Sequence, residues 1–389
     1  MLFQVSQFGQ TDLLSTIIWF VLFIVFIFFG PRLMTVQSIF KLESDTAELE
    51  KMAEKSRNYV IKYASKKPSA RIASQIRNFL EFFIITPIDT DPYGLMKKLD
   101  YVLRNSDNRF TYFADQIAPS MSYNEKKNLK NSLAGAITTY QIAKIVRHNL
   151  EIIKKYKMYQ LAMILQIQIP LIKRIANASM HATKAFTENI PIGDGIGCIV
   201  AAHLIKRKYK TDREDEFVFA KSKVRLRDVW VAKAEGSGAS TGYPGKFLLK
   251  FLKKNKINRI ITVDAGMKLE GEKTGAIAEG VGVAIGGSGV DRYEIEDVAV
   301  KQNIPLDAVI IKVSDEDALM PMKREVLNSI SYALEAVEAA VMRAKKGEKI
   351  LIIGVGNTCG IGNDFASIAE TEKRLKAHHK KVEEEKKKK

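Results

Sequence analysis

Residues 259–289 read RIITVDAGMKLEGEKTGAIAEGVGVAIGGSG, and the fold class can be inferred from this stretch outward. It begins with an apolar, β-branched run at residues 259–263, which has the length and composition of a buried strand. Asp264 stands at the exit of that strand, and a glycine-dense segment follows at residues 275–289. Because glycine lets the backbone approach a ligand or another strand closely, the stretch predicts a carboxylate beside a backbone-lined loop.

Three further apolar runs in the C-terminal half have the same strand character, and amphipathic helical segments lie between the runs. The strands are at residues 229–232, 308–313 and 349–355, and the helices are at residues 197–206, 243–254, 295–302 and 323–345. This alternation predicts a three-layer α/β domain with a mainly parallel sheet and helices on both faces. In such sheets, ligands bind beyond the carboxyl ends of the strands.

An uncharged apolar run near the N-terminus, LLSTIIWFVLFIVFIFF at residues 13–29, predicts a single transmembrane helix. With Gly30 it has about 18 residues, close to the roughly 20 that cross a hydrocarbon core. A signal peptide is disfavoured because residues 1–12 contain no Lys or Arg and no cleavage motif follows. Arg32 and Lys41 follow the run, so residues 1–12 are expected outside the cell and the body in the cytoplasm. Lipid contact through residues 13–30, at the cell membrane, is therefore predicted.

Composition divides the rest of the chain into four segments. Charged, periodic residues 31–68 predict a helical stalk, either a short coiled coil that joins copies into a homo-oligomer or one helix packed on the next domain. Residues 69–188 have helical spacing and predict a helical domain. The α/β domain covers residues 189–369, and residues 370–389 form a charged tail that ends in four lysines and is expected to fray.

The charge balance bears on the partners of the chain. The net charge is +17, from 61 Lys and Arg against 44 Asp and Glu. Such a balance indicates an anionic neighbour, and with a transmembrane helix predicted, lipid head groups explain it more simply than nucleic acid. No nucleic-acid partner is expected. The two cysteines, Cys198 and Cys359, are far apart in sequence, which argues against a disulfide-built extracellular protein.

Carboxylates near strand exits and glycines are the chemical groups that stand out in the α/β domain. Asp194 lies between glycines in PIGDGIG at residues 191–197, Asp264 follows a strand, and Glu279 is the acid of the glycine-dense segment. Two close carboxylates differ in pKa, so that one acts as acid and one as base, or they bind a divalent metal together. Alternatively, Asp194 is a helix N-cap and Asp264 caps a loop amide.

The loop GVGNTCGIG at residues 354–362 follows a strand and precedes a helix, as nucleotide-binding loops do. A dinucleotide fingerprint that starts at Gly354 needs glycine or alanine where Cys359 stands, and no P-loop Lys-Ser or Lys-Thr pair occurs. Nucleotide binding is therefore disfavoured. The isolated His181 and His203 belong to no Ser-His-Asp or HExxH pattern.

Several motifs along almost the whole chain carry a resemblance to a known family. They are FFIITPIDTDPYGLMKKLD at residues 82–100, AKIVRHNLEIIKKYK at 143–157, QLAMILQIQIPLIKRIA at 160–176, PIGDGIG at 191–197 and ITVDAGMKLEGEKTGAIAEGVGVAIGGSGVDR at 261–292. The chain resembles the archaeal membrane proteins grouped as domain of unknown function DUF1512. This resemblance brings no established activity.

A second, fainter pattern concerns the C-terminal half. Its order is GDGIG at residues 193–197, VDA at 263–265, then EGV at 279–281 through GSGV at 287–290. This order is similar to that of germination proteases and hydrogenase maturation proteases, which share a phosphorylase/hydrolase-like fold. The resemblance implies that Asp194, Asp264 and Glu279 surround one catalytic cleft and that Asp194 and Asp264 hold a metal. Gly287 and Gly289 are expected to contact a bound cofactor or ligand.

One departure from this pattern suggests a circular permutation. The proteases begin with a strand that ends Gly-Leu-Gly-Asn before the first acid, whereas a helical stretch precedes Asp194. The similar sequence IIGVGN, residues 352–357, lies at the far end of the domain. The C-terminal strand is therefore expected to take the place of the missing first strand. Asn357 would then lie near Asp194 and join the cofactor-binding residues.

Two functions remain open on the sequence. One is a membrane-anchored, peptidase-like hydrolase that uses a carboxylate cluster, with or without a divalent metal; it requires the three carboxylates to converge. The other is a non-catalytic, membrane-tethered scaffold or binding protein that keeps the hydrolase-like fold, since fold does not determine activity. The second function expects a filled cleft and acids used as caps.

Overall fold

The computed structural model describes residues 13–65, 67–82, 94–206, 208–283, 285–286 and 289–387. The chain forms two compact units. Within the described residues, the first unit runs to Lys51 and includes Gln141–Arg174, and the second comprises Met52–Tyr140 and Ile175–Lys389.

The N-terminal half is helical. Its helices are α1 (Leu13–Ala64), α2 (Ala70–Phe79), α3 (Leu95–Ile117), α4 (Tyr123–Tyr156) and α5 (Tyr159–Glu188). A capping box starts α4: the backbone N–H of Ser122 donates to Glu125 Oε2 at 2.8 Å, and the N–H of Glu125 donates to Ser122 Oγ at 3.4 Å. The helix therefore begins where the local sequence satisfies its free amide groups.

Within the first unit, α1 packs on α4. Arg147 donates to both carboxylate oxygens of Glu50 at 2.9 Å, and Leu42 and Leu49 are fully buried. The periodic residues of the predicted stalk thus pack within the chain, which is the second of the two interpretations of residues 31–68. Association of copies through this segment stays a prediction.

The predicted transmembrane helix is wrong. Residues 13–30 are the first part of α1, which continues through Pro31 to Ala64. Across the helices of the described part, none is both long enough and apolar enough to cross a membrane. The cellular location and the contact with lipid stay predictions that the fold does not test.

The C-terminal half contains one seven-stranded sheet. Its strands are β1 (Lys210–Asp212), β2 (Phe217–Val224), β3 (Arg227–Ala234), β4 (Arg259–Met267), β5 (Ile277–Val281), β6 (Leu306–Val313) and β7 (Ile350–Gly354). Their order is β1-β2-β3-β7-β4-β6-β5. The pairs β3–β7, β7–β4 and β4–β6 are parallel, and the pairs β1–β2, β2–β3 and β6–β5 are antiparallel. The sheet is therefore mixed, and the prediction of a mainly parallel sheet is wrong.

The four predicted strands are present as β3, β4, β6 and β7, which carry the apolar runs. The missed strands lack such a signal. β2 alternates buried and exposed residues towards its end, and the turn to β3 is Arg225-Leu226, with φ of 47° and 65°. A two-residue turn with two positive φ values normally carries Asn-Gly or Asp-Gly, so no sequence signal marked this hairpin. β5 lies in the glycine-dense segment that was predicted as a loop.

In the described part of the C-terminal half, seven α-helices accompany the sheet. They are α6 (Ile196–Leu204), α7 (Pro244–Lys254), α8 (Val290–Gln302), α9 (Asp315–Leu319), α10 (Arg324–Asn328), α11 (Ile330–Met342) and α12 (Phe365–Lys387). The described residues of the charged tail form the C-terminal part of α12, and fraying of the tail stays a prediction. Leu375 is fully buried, and a ring nitrogen of His379 lies 2.7 Å from the carbonyl oxygen of Met322.

Candidate functional site

A cavity of about 550 Å³ lies at the C-terminal edge of the parallel strands. Asp264 lies within β4, one residue beyond the last β4 residue that pairs with β7, and Asn357 follows the end of β7. Helices α4 and α5 contribute Asn131, Thr138 and Ser179. This edge is where open α/β sheets bind ligands. The volume also falls within the range of small-molecule sites.

Close packing of a glycine brings the Asp194 turn against the strand exits. Gly193–Gly195 forms a single 3₁₀ turn that leads into α6. A Cβ on Gly197 would lie 2.2 Å from the carbonyl oxygen of Val263 and 2.4 Å from that of Val355. Because Gly197 has no side chain, α6 can start directly against β4 and β7. Asp194, three residues earlier, therefore reaches the cavity.

Asn357 holds the carboxylate of Asp194. Its backbone N–H donates a hydrogen bond of 2.8 Å to Asp194 Oδ2, and its side-chain oxygen accepts the N–H of Cys359 at 3.0 Å. The predicted proximity of Asn357 and Asp194 is thus present, and β7 lies in the middle of the sheet, as the permutation requires. The circular permutation itself stays a hypothesis.

Asp194 and Asp264 form an electrostatically coupled pair within the cavity. Asp264 is only 4% exposed, and burial raises its pKa well above the ordinary value of 3.8. The negative charge of Asp194 raises the pKa of Asp264 further. Burial also raises the pKa of Asp194, an effect that the N–H of Asn357 opposes. Burial thus favours the protonated form of both aspartates, and the charge of Asp194 further disfavours ionisation of Asp264.

A third carboxylate, Asp291, lines the same cavity from the first turn of α8. Its Oδ1 accepts the backbone N–H of Gly245 at 3.1 Å, and burial raises its pKa. The sequence prediction missed this residue. The available signal was its place in the first turn of a helix that follows a glycine-dense segment, because such a helix starts near the strand exits.

Glu279 lies away from these carboxylates. It is in β5 at the edge of the sheet, opposite Val309, and its Oε2 lies 2.5 Å from Nη1 of Arg343. Glu279 does not belong to the described lining of the cavity. The reason is that its segment forms an antiparallel edge strand, not a loop over the strand exits. The structure therefore brings together two of the three predicted carboxylates.

The predicted ligand-binding glycines and the metal pair have different outcomes. Gly289 lines the cavity at φ 82° with open space where a Cβ would stand, whereas Gly287 lies outside the described residues.

No group of three or more His, Cys, Asp or Glu side chains, within the described part, is placed to hold a metal ion. A cation at Asp194 and Asp264 would take further ligands from water, backbone or substrate, as Mg²⁺ often does. That metal stays a prediction.

Cysteine chemistry does not fit this site. Cys198 is fully buried behind the aspartate pair, and its thiol donates to the carbonyl oxygen of Gly356 at 3.2 Å. Burial, together with the charges of Asp194 and Asp264, raises the pKa of Cys198 to about 12. Since the thiolate is the nucleophilic form, Cys198 stays inert at neutral pH.

Asp264→Asn should raise the free energy of unfolding at about pH 8 but not at about pH 3.5. Folding raises the pKa of Asp264. The associated stability is therefore present below the unfolded pKa and lost as pH rises through the folded pKa. Because Asn does not ionise, the variant does not lose this stability as pH rises. Thermal denaturation across the pH range measures the difference in the free energy of unfolding. Asp228→Asn, whose side chain is 89% exposed, is the control. Equal stabilisation by Asp264→Asn at both pH values would contradict the raised pKa.

Two family models match the chain. The model described as "Protein of unknown function (DUF1512) N-terminal domain" matches residues 16–189, and "Domain of unknown function (DUF1512) C-terminal" matches residues 192–362. The second match contains the Asp194 turn and both strand exits of the cavity. A search of the curated proteins gives no match.

Proposed function

The chain belongs to the DUF1512 family, whose domain descriptions name no activity, and from the geometry of the cavity we propose that it hydrolyses peptide-like amide bonds. Asp194 and Asp264 act as base and acid. The observation that carries this proposal is a coupled aspartate pair in a cavity at the strand exits. Paired carboxyls whose environments separate their pKa values are the pattern of acid–base catalysis.

Each aspartate has its own role in the first step. Asp194, favoured in its ionised form by the N–H of Asn357, takes a proton from a water molecule while the water oxygen bonds to the amide carbonyl carbon. Asp264 donates its proton to the carbonyl oxygen. This step gives a neutral tetrahedral intermediate, and concerted proton transfer of this kind accelerates hydrolysis by about 10²- to 10⁴-fold.

The second step restores both aspartates. The carbon–nitrogen bond breaks, and the leaving nitrogen takes the proton that Asp194 received from water. One hydroxyl of the intermediate returns its proton to Asp264 as the carbonyl group re-forms. The products are a carboxylic acid and an amine, and the pair again holds one proton.

A non-catalytic binding protein with the same cavity is the second candidate. The hydrogen bond from Asn357 to Asp194 favours it, because one carboxylate oxygen already serves as a structural acceptor. The two candidates differ in turnover, since a binding protein leaves its ligand chemically unchanged.

Incubation of the full chain with a defined pool of short synthetic peptides, followed by mass spectrometry, tests the hydrolase. We expect cleavage products with the wild type and only background with Asp194→Asn. Glu279→Gln is the matched control, because it also removes one carboxylate but lies away from the cavity lining. Peptides that raise the melting temperature but stay intact would favour the binding protein.

A further inference from the structure

The lining of the cavity combines three carboxylates with no basic side chain. Asp194, Asp264 and Asp291 are its charged members, and none of its described residues is Lys, Arg or His. In a chain of net charge +17, this cavity is therefore an anionic region.

A buried hydroxyl indicates a ligand independently of the acids. Ser179 on α5 lines the cavity and is only 4% exposed. Its carbonyl oxygen accepts the hydroxyl of Thr183, but the Ser179 hydroxyl forms no hydrogen bond with the residues that the structure describes. Ser179 Oγ is itself accessible from the cavity, so a polar group of a bound ligand can replace water as its hydrogen-bond partner.

Two of the carboxylates also keep an oxygen available. Asp194 Oδ1 and Asp291 Oδ2 form no hydrogen bond within the described part of the chain, since Asn357 and Gly245 donate to the other oxygen of each. Outside the cavity, buried acids meet cations, as Asp215 meets Lys250 at 2.9 Å. Among the described residues no cation forms an ion pair with a cavity carboxylate, and Arg104 and Lys246 act on Asp291 only from a greater distance. An ammonium group would supply a direct counter-charge and up to three donors.

Apolar side chains form much of the remaining wall. Phe186, Ile192, Ile285 and Leu319 line the cavity together with several alanines. Such walls favour the apolar body of a ligand, while a few polar groups fix its orientation. A small molecule with one cationic end and an apolar body therefore matches the lining in both charge and polarity.

We infer that the substrate carries a free amino group, that Asp291 binds its ammonium form, and that Ser179 bonds a further polar group of it. The inference rests on the proposed function for the reaction and adds the class of substrate. Asp291 determines specificity, and the pair Asp194 and Asp264 performs the hydrolysis. A peptide with a free N-terminus belongs to this class, and its N-acetylated form does not.

Binding of phenethylamine to the full chain at about pH 7, measured by calorimetry, tests the inference. We expect the amine to bind, and its neutral isostere 2-phenylethanol and the acid 3-phenylpropanoate not to bind. Asp291→Asn should weaken amine binding about tenfold or more, the effect of losing a hydrogen bond to a charged group. Glu279→Gln, the matched control, should bind the amine as the wild type does. Equal binding by wild type and Asp291→Asn, or equal binding of amine and alcohol, would overturn the inference.

Asn at position 291 keeps an acceptor for the N–H of Gly245, so the variant should fold, and its melting temperature without ligand checks this. If the variant does not fold, amine binding by the wild type is measured as a function of pH instead. The affinity should fall at acidic pH, where Asp291 takes up a proton. A pH-independent affinity would then overturn the inference.

Asp264→Asn separates this inference from the proposed function. That variant should lose hydrolysis and keep amine binding. Wild type that cleaves N-acetylated peptides as fast as free ones and does not bind the amine would refute the inference alone. Amine binding without cleavage of any peptide would refute the hydrolase alone.

Discussion

Asp264→Asn should lower kcat for peptide hydrolysis by about 10²- to 10⁴-fold, the range that a positioned acid–base group contributes. The amide of Asn can donate a hydrogen bond to the carbonyl oxygen but cannot transfer a proton to it. The wild-type rate should fall at high pH, where the pair loses its shared proton. The residual rate of the variant should lack this high-pH decline, and steady-state kinetics across the pH range measures both effects.

Because Asn has nearly the same size as Asp, Asp264→Asn removes the transferable proton with little change in packing. Its side-chain oxygen can still accept the N–H of Ala265, which Asp264 Oδ1 accepts at 2.7 Å. A change in KM with unchanged kcat would mean that Asp264 contributes only to binding. A wild-type kcat in Asp264→Asn would refute its role as the acid.

Gly197→Ala should destabilise the protein by about 3 kcal/mol or more, at the upper end of the cost of overpacking a core. The added Cβ meets the backbone oxygens of Val263 and Val355, and both belong to the central sheet region. Backbone atoms cannot move aside as a flexible side chain can, so α6 must shift away from the strand exits. Denaturant unfolding measures the loss, and peptide hydrolysis by the folded fraction measures the displacement of Asp194.

Gly280→Ala is the matched control for this substitution. A Cβ there meets no atom within 4 Å, and Gly280 lies in β5, where alanine costs less backbone entropy than glycine. We expect the stability of this variant to equal or exceed that of the wild type. Equal losses in the two variants would show that close packing at Gly197 is not the cause.

The part of the site that sequence could predict depends on parallel strands. Apolar runs marked β4 and β7, and because parallel strands end at one edge, the residues after them were expected to meet there. Asp194 and Asn357 meet as predicted, since their positions follow from the strand exits and the glycines around them. The prediction that Glu279 lines the cavity was wrong because a high glycine content suggests a loop. Pairing with β6 instead makes this segment a strand.

The rest of the site could not be predicted, because it depends on contacts between distant segments. Asn131, Thr138 and Ser179 reach the cavity from two helices whose sequences show ordinary amphipathic spacing. Local patterns do not indicate which face of a helix covers a cavity. At residues 13–29 a local pattern gave a wrong prediction: it suggested a transmembrane helix, whereas none of the described helices is long and apolar enough to cross a membrane.

The position of β7 determines when the cavity can form during synthesis. β7 lies between β3 and β4, yet it follows both in the chain by about a hundred residues, and Asn357 follows it. The sheet centre therefore closes through contacts of long sequence separation, which fold slowly. A nascent chain that ends before Ile350 contains Asp194 and Asp264. It lacks β7, which pairs with β4 and leads to Asn357, the residue that binds Asp194. The cavity can therefore assemble only after β7 and Asn357 have left the ribosome.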